Sequence, residues 1–282
     1  MPEGYTHLTP DDRCQIEVLL RRGDGNRAIG RLLGRPSSTS AGVPVVKHGN
    51  KGSKVPNGSF DLLEMLGVPF QQTPAHQARL NAETGVCFLF ARAVHPTVSA
   101  VAPARKLAAE KVPRTIFNLA GPLANPCRPA KQIIGVTDER TAHIITDALI
   151  RLGVKRALVV RGHPGIDEIS ITGPSHVWTV HNGHVHHAII ERIHQRGVDH
   201  AHLPCGDAKA NAATFHRLLS GEERGPLLDM VCANAGAALD CWRDRAVLSD
   251  SVGFDEAKEL LLSGKTKATF VRHLMLAKQL SG

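Results

Sequence analysis

The chain has 282 residues, of which 42% are hydrophobic but only 4% aromatic, so it can bury one large core built from Leu, Ile, Val and Ala plus a small appendage. Six scattered cysteines (Cys14, Cys87, Cys127, Cys205, Cys232 and Cys241) form no C-x-x-C pair and read as reduced thiols of a cytoplasmic protein. No apolar run approaches the roughly 20 residues of a membrane span, the N-terminus is unlike a signal peptide, and the formal charge of +8 suits a polyanionic ligand as well as a generally basic surface.

Residues 1–40 read as two short helices. Thr9-Pro10-Asp11-Asp12 is a helix start, with a capping hydroxyl, a proline suited to the first turn and acids at the positive end. Ile16, Leu19 and Leu20 give one apolar face; Gly23 and Gly25 break it; Ala28, Ile29, Leu32 and Leu33 give a second before Gly34 and Pro36. Two helices about a glycine-containing turn suggest a helix-turn-helix. After Ser37-Ser38-Thr39-Ser40 the chain turns to Ala41-Gly42-Val43-Pro44, so a recognition helix has at most its first turn, and major-groove reading needs more than that.

From Gly42 onward the pattern is α/β. Residues 43–47 predict a strand, 61–66 a helix, 86–90 a buried apolar run and 96–110 a helix. Residues 131–136 and 156–160 are near-continuous apolar runs, as in parallel strands covered on both faces. Between them Ala142, Ile145, Leu149 and Leu152 repeat at helical spacing, completing a βαβ unit and a mainly parallel central sheet flanked by helices. Residues 177–181 and 184–188 flank Asn182-Gly183, a hairpin signal. The tail is helical over 209–219, 227–239, 255–262 and 267–280. His181, His184, His186 and His187 crowd the hairpin and read as exposed side chains rather than a closed zinc set.

Three segments carry chemistry. Lys47-His48-Gly49-Asn50 follows a strand, at the end of open α/β sheets where ligands bind; Lys51 and Lys54 add charge, and the glycines let backbone approach phosphate. Asp167-Glu168 lies beyond another strand, and adjacent carboxylates suit a Mg²⁺ shared with substrate phosphates. Residues 114–126, RTIFNLAGPLANP, read as a rigid turn near a pocket.

These segments, in this order and from about Ala41 to the C-terminus, resemble anthranilate phosphoribosyltransferase in KHGN, RTIFNLAGPLANP and GIDEIS with TGP. The resemblance implies transfer of ribose 5-phosphate from phosphoribosyl pyrophosphate to the amine of anthranilate, with loss of pyrophosphate, for tryptophan synthesis. It implies that Asp167 and Glu168 hold Mg²⁺ and that Lys47 and Asn50 contact the donor. It also implies that His48, Asn50, Gly121 and Pro122 line the anthranilate path, with Gly49 in the same loop, that His95 sits at its mouth, and that Arg105 pairs with the carboxylate through its two-point fork. Residues 1–40 resemble the helix-turn-helix start of an insertion-sequence transposase, giving two expected units, 1–40 and 41–282.

The family pattern is incomplete. A small helical subdomain that builds the family's usual homodimer has no match, nor does a G-T-G-G-D loop ahead of KHGN, and Lys51 and Lys54-Val55 stand where an arginine and two serines belong. The expectation is therefore a chain lacking the enzyme's front part, with impaired turnover. The alternatives are an inactive fusion remnant and a DNA-binding helix-turn-helix protein. Neither a membrane nor a nucleic acid is the expected partner.

Overall fold

The computed structural model describes residues 39–51, 58–95, 116–191, 193, 203, 207–248 and 251–282. The two helices expected before residue 39, the helix expected over 96–110, and Arg105 lie outside them.

The first unit is a parallel pair, β1 (Val45–Gly49) beside β2 (Val86–Phe90), in register from Val45↔Val86 to Gly49↔Phe90. The strand begins and ends two residues later than its sequence suggests. Pro44 has no N–H to give a ladder, whereas Val45 N–H donates to Gly85 O at 2.8 Å. Lys47, His48 and Gly49 are thus strand residues, and only Asn50 of KHGN lies beyond the strand.

The crossover contains α1 (Ser59–Met65) and α2 (Pro74–Thr84). The second of these is absent from the sequence reading because its buried face is partly polar. Gln77 Nε2 donates to Phe70 O and Gln77 Oε1 accepts from Phe88 N–H, while Asn81 Nδ2 donates to Val45 O, so amides replace apolar residues against the strands. Its ends were nevertheless written locally: Thr73 caps the His76 N–H, Pro74 opens the first turn and Gly85 closes the helix at φ 74°. A short helix, α3 (Ala91–Val94), then leads to His95.

Residues 116–123 are helical, not a turn: α4 (Ile116–Leu123) carries Pro122 as its next-to-last residue, where the ring and the missing N–H stop the helix from continuing. It packs against β1. A second βαβ unit follows: β3 (Lys131–Gly135), α5 (Glu139–Arg151), capped by Asp138 through the Thr141 N–H at 2.8 Å, and β4 (Arg156–Gly162), parallel to β3. The hairpin β5 (Ser175–His181) and β6 (His184–Ile190) continues this sheet antiparallel, so the sheet is mixed, in the order β3-β4-β5-β6. Positive φ at both Asn182 (48°) and Gly183 (82°) makes the two-residue turn whose twist matches the strands.

The tail forms α6 (Ala208–Ser220), α7 (Pro226–Trp242), α8 (Val252–Leu262) and α9 (Lys265–Ser281). Almost every residue of α7 is buried, and it meets α8 through Gly236 and Gly253, where a Cβ on Gly236 would come within 2.6 Å of the Gly253 carbonyl carbon. One apolar cluster joins both strand units, running from Val45, Phe88 and Phe90 through Ile133, Leu158 and Val160 to Phe215 and Val231. Phe60, Phe70 and Phe90 form a ring trio at 5.1, 5.2 and 5.4 Å, concentrating the few aromatics beside β1. Cys87, Cys127, Cys232 and Cys241 are buried, and burial pushes the Cys232 thiol up to about 12, so it is inert. Among the described residues no helix is long and apolar enough to cross a membrane.

His273 of α9 is 1% exposed and packs edge-on against Phe88. Thr84 Oγ1 donates to Leu80 O, so His273 Nδ1–H donates to Thr84 Oγ1 at 3.1 Å, and Nε2 meets no partner among the described residues. Burial lowers its pKa from 6.5 to about 4, against a small opposing hydrogen bond at Val86. The unfolded chain therefore binds a proton that the folded chain refuses. Stability is full above pH 6.5 and falls as pH drops from 6.5 towards 4, by about 3 kcal/mol from this group alone. Urea denaturation at pH 7, 5 and 4 should show this loss, and His273→Leu should flatten it; an equal slope in the variant would assign the acid sensitivity elsewhere.

Candidate functional site

Parallel pairing of β1 and β2 brings the first group of residues together. Gly49↔Phe90 register places the short helix after β2 beside the end of β1, and His48 Nε2 lies 3.0 Å from His95 Nε2 with the rings edge-on at 82°. His48 is buried and His95 half-buried. The helix α4, which carries Gly121 and Pro122, packs on β1; a Cβ on Gly121 would meet nothing within 4 Å, so open space borders it. Asn50 Oδ1 accepts from the Lys51 N–H at 2.9 Å, which holds the first residues after the strand in a tight local bend.

Two expectations about this segment change. Lys47 is fully buried, with its ammonium 3.9 Å from the position of a Gly49 Cβ, and is not part of a solvated loop. Gly49 packs tightly, since a Cβ there would lie 3.2 Å from the Phe60 ring and the ring would have to give way. The charge of Lys51 is engaged structurally: its ammonium pairs with Glu64 at 2.7 Å and lies over the Phe70 ring at 5.9 Å.

Asp167 and Glu168 come from the loop after β4, and that loop is pinned by backbone contacts. Gly162 and Ile166 exchange two hydrogen bonds of 2.8 Å, closing the turn that leads to the carboxylates. A Cβ on Gly135, the last residue of β3, would fall 1.8 Å from Asp167 O, and one on Gly162 would fall 2.4 Å from Glu168 O. Asn234 of α7 accepts from the Ile169 N–H at 2.8 Å and donates to Ile169 O at 3.1 Å. Ser175 Oγ accepts from the Ser170 N–H at 2.8 Å. Glu168 is 3% exposed and Asp167 half-buried.

Asn234, Gly135 and Gly162 were missed as site-building residues. A glycine closing each of two adjacent parallel strands was a readable sign of close backbone approach; nothing local distinguished Asn234. The two adjacent carboxylates offer hard oxygen donors at a strand's carboxyl end, the donor chemistry that suits Mg²⁺.

Comparison with known proteins yields one consistent picture. The profile described as "Glycosyl transferase family, a/b domain" matches residues 33–267, and one described as "Helix-turn-helix domain" matches residues 4–39. The chain is 39% identical over 244 residues to the anthranilate phosphoribosyltransferase of Rubrobacter xylanophilus, covering 86% of this chain and 70% of that protein. It is 38% identical over 262 residues to that of Methylobacterium radiotolerans, covering 91% and 74%. Among solved structures, anthranilate phosphoribosyltransferase from Thermus thermophilus superposes with a TM-score of 0.80 at 33% identity, covering 93% of this chain and 78% of that one. The Saccharomyces cerevisiae enzyme, solved in complex with PRPP and Mg, shares the fold at a TM-score of 0.80 and 21% identity, covering 94% and 74%.

Proposed function

Because this chain belongs to the anthranilate phosphoribosyltransferase family, we propose that its strand ends bind phosphoribosyl pyrophosphate and anthranilate and join the phosphoribosyl group to the anthranilate amine, a step of tryptophan biosynthesis. The observation that supports this most is that both residue groups stand at the carboxyl ends of parallel strands, β1 and β4, bordering one shared core. In this reading the two groups face a common cleft in a cytoplasmic enzyme, residues 41–282 form the transferase unit and residues 1–40 a helix-turn-helix appendage.

Asp167 and Glu168 would hold Mg²⁺, which when bound supplies Lewis-acid stabilisation to the departing pyrophosphate. Lys47 and Asn50 would bind the donor. His48, Asn50, Gly121 and Pro122 would line the acceptor path with His95 at its mouth, and Arg105 would take the anthranilate carboxylate in its fork. An aromatic amine is nucleophilic when neutral, so the chain's own task is to orient it towards the anomeric carbon, exclude water and preorganise the anion-binding groups. No protein nucleophile is required, and the work is positional and electrostatic.

A second observation bears on rate. The 282 residues contain no G-T-G-G-D segment, and Lys51 is engaged by Glu64. Removing a single anion-stabilising donor costs about 2.7–4 kcal/mol in measured sites, and a whole phosphate-wrapping loop supplies several. The expected result is Mg²⁺-dependent donor binding with turnover below about 1 s⁻¹, under the usual enzyme range. A steady-state assay of the purified 282-residue chain with anthranilate, donor and Mg²⁺ measures it; a faster rate would show that the loop is dispensable, and absence of donor binding would remove the enzymatic reading.

A further inference from the structure

We propose a second metal site, chemically unlike the Asp167–Glu168 pair: the imidazoles of His176 on β5 and His187 on β6 bind a borderline divalent ion such as Cu²⁺, Ni²⁺ or Zn²⁺, with water completing its shell. The hairpin register pairs Trp178 with His187 and His176 with Ile189, which makes the two histidines diagonal neighbours on one face. His176 Nδ1 lies 3.1 Å from His187 Nε2, with ring planes 8° from parallel.

Packing holds the rings there. The 2%-exposed indole of Trp178 stacks on His187 at 4.7 Å and 15°, and on His176 at 5.8 Å and 19°. His143 of α5 closes the Trp178 edge at 6.0 Å, and itself lies 3.7 Å from Glu139. With the nitrogens 3.1 Å apart, an ion about 2.1 Å from each subtends an N–metal–N angle of roughly 95°. That is close to the cis angle of tetragonal and octahedral ions; binding replaces the shared proton, and each ring turns so that its lone pair points at the ion rather than at the other nitrogen.

Ligation needs neutral rings. Burial and the neighbouring His176 depress the His187 pKa, with His143 and His186 acting the same way and Glu139 opposing. The depressed pKa favours the neutral, ligating form of His187. Among the described residues no group of three or more ligating side chains assembles, so the expected affinity is micromolar rather than that of a closed structural site. Nitrogen donors select against Mg²⁺, which keeps this site separate from the proposed donor site.

Trp178 is the reporter. Titrating the full 282-residue chain with CuCl₂ or NiCl₂ at pH 7.5 should quench its fluorescence saturably, and Trp178→Phe should remove that component, leaving Trp242 as the chain's other tryptophan. His176→Ala and His187→Ala should each raise the half-saturating concentration at least tenfold, His187→Gln should behave like the alanine variant, and His184→Ala should leave the titration unchanged. Lowering the pH should weaken the quenching, because protons compete with the ion for the ring nitrogens. Since His187 is exposed and His176 half-exposed, the variants should keep the parent's circular dichroism. An identical titration in the His176→Ala/His187→Ala double variant, or no saturable quenching of the parent, overturns the proposal.

Discussion

Replacing Asp167 by Asn and Glu168 by Gln together should lower Mg²⁺-dependent affinity for phosphoribosyl pyrophosphate by about 100-fold or more, while leaving the fold intact. Loss of groups that merely orient metal ligands already costs about 10- to 100-fold in metal affinity, so loss of the ligands themselves costs at least as much. The substitutions keep shape and hydrogen-bonding size and remove charge. Calorimetric titration of the donor with and without Mg²⁺ separates the outcomes. Equal affinities for parent and double variant would remove the carboxylates from the site. A drop that occurs equally in the absence of Mg²⁺ would give them a role other than holding the ion.

Gly135→Ala should damage both stability and donor binding, although glycine contributes no functional group. The added Cβ would stand 1.8 Å from Asp167 O and 2.8 Å from Asp167 Cβ, inside any tolerated contact. The obstacle is main chain, not the end of a flexible side chain, so the loop after β4 must shift. Overpacking typically costs about 1–3 kcal/mol and sometimes more; a backbone collision this close belongs at or beyond the upper figure, a large share of the roughly 5–15 kcal/mol that keeps a domain folded. Because Asn234 and the Gly162–Ile166 turn anchor the same loop, relief by movement carries the carboxylates with it. Chemical denaturation reads the first effect and Mg²⁺-dependent donor binding the second. A variant as stable as the parent would mean that the β3 end and the carboxylate loop do not pack as described. A destabilised variant with unchanged binding would detach the carboxylate loop from the donor.

Much of the architecture was open to local reading. The apolar runs that became β3 and β4, the Asn182-Gly183 hairpin and the tail helices depend on periodicity and turn chemistry within a few residues. Where that reading failed, a longer-range contact had replaced the local signal. The helix α2 hides its apolar stripe because Gln77 and Asn81 bond to strand backbone. The helix α4 looked like a turn because Gly121 and Pro122 argue against a helix until Pro122 is seen to occupy its last turn. His48 and Gly49 looked like loop residues because the place where β1 begins depends on a bond to Gly85, far along the chain.

The amino-acid sequence alone determined the α/β class, the second βαβ unit with its hairpin, the helical tail, the family, and which residue types stand at the strand ends. Those properties follow from propensity, hydrophobic period and motif, which act between near neighbours along the chain. Only the tertiary structure decided that His48 meets His95, that Gly135 and Asn234 grip the Asp167–Glu168 loop, that His176 faces His187 across the hairpin, and that His273 stays neutral in the core. Desolvation and side-chain contact are set by what the folded chain brings alongside a residue, and that partner is written far away in the sequence.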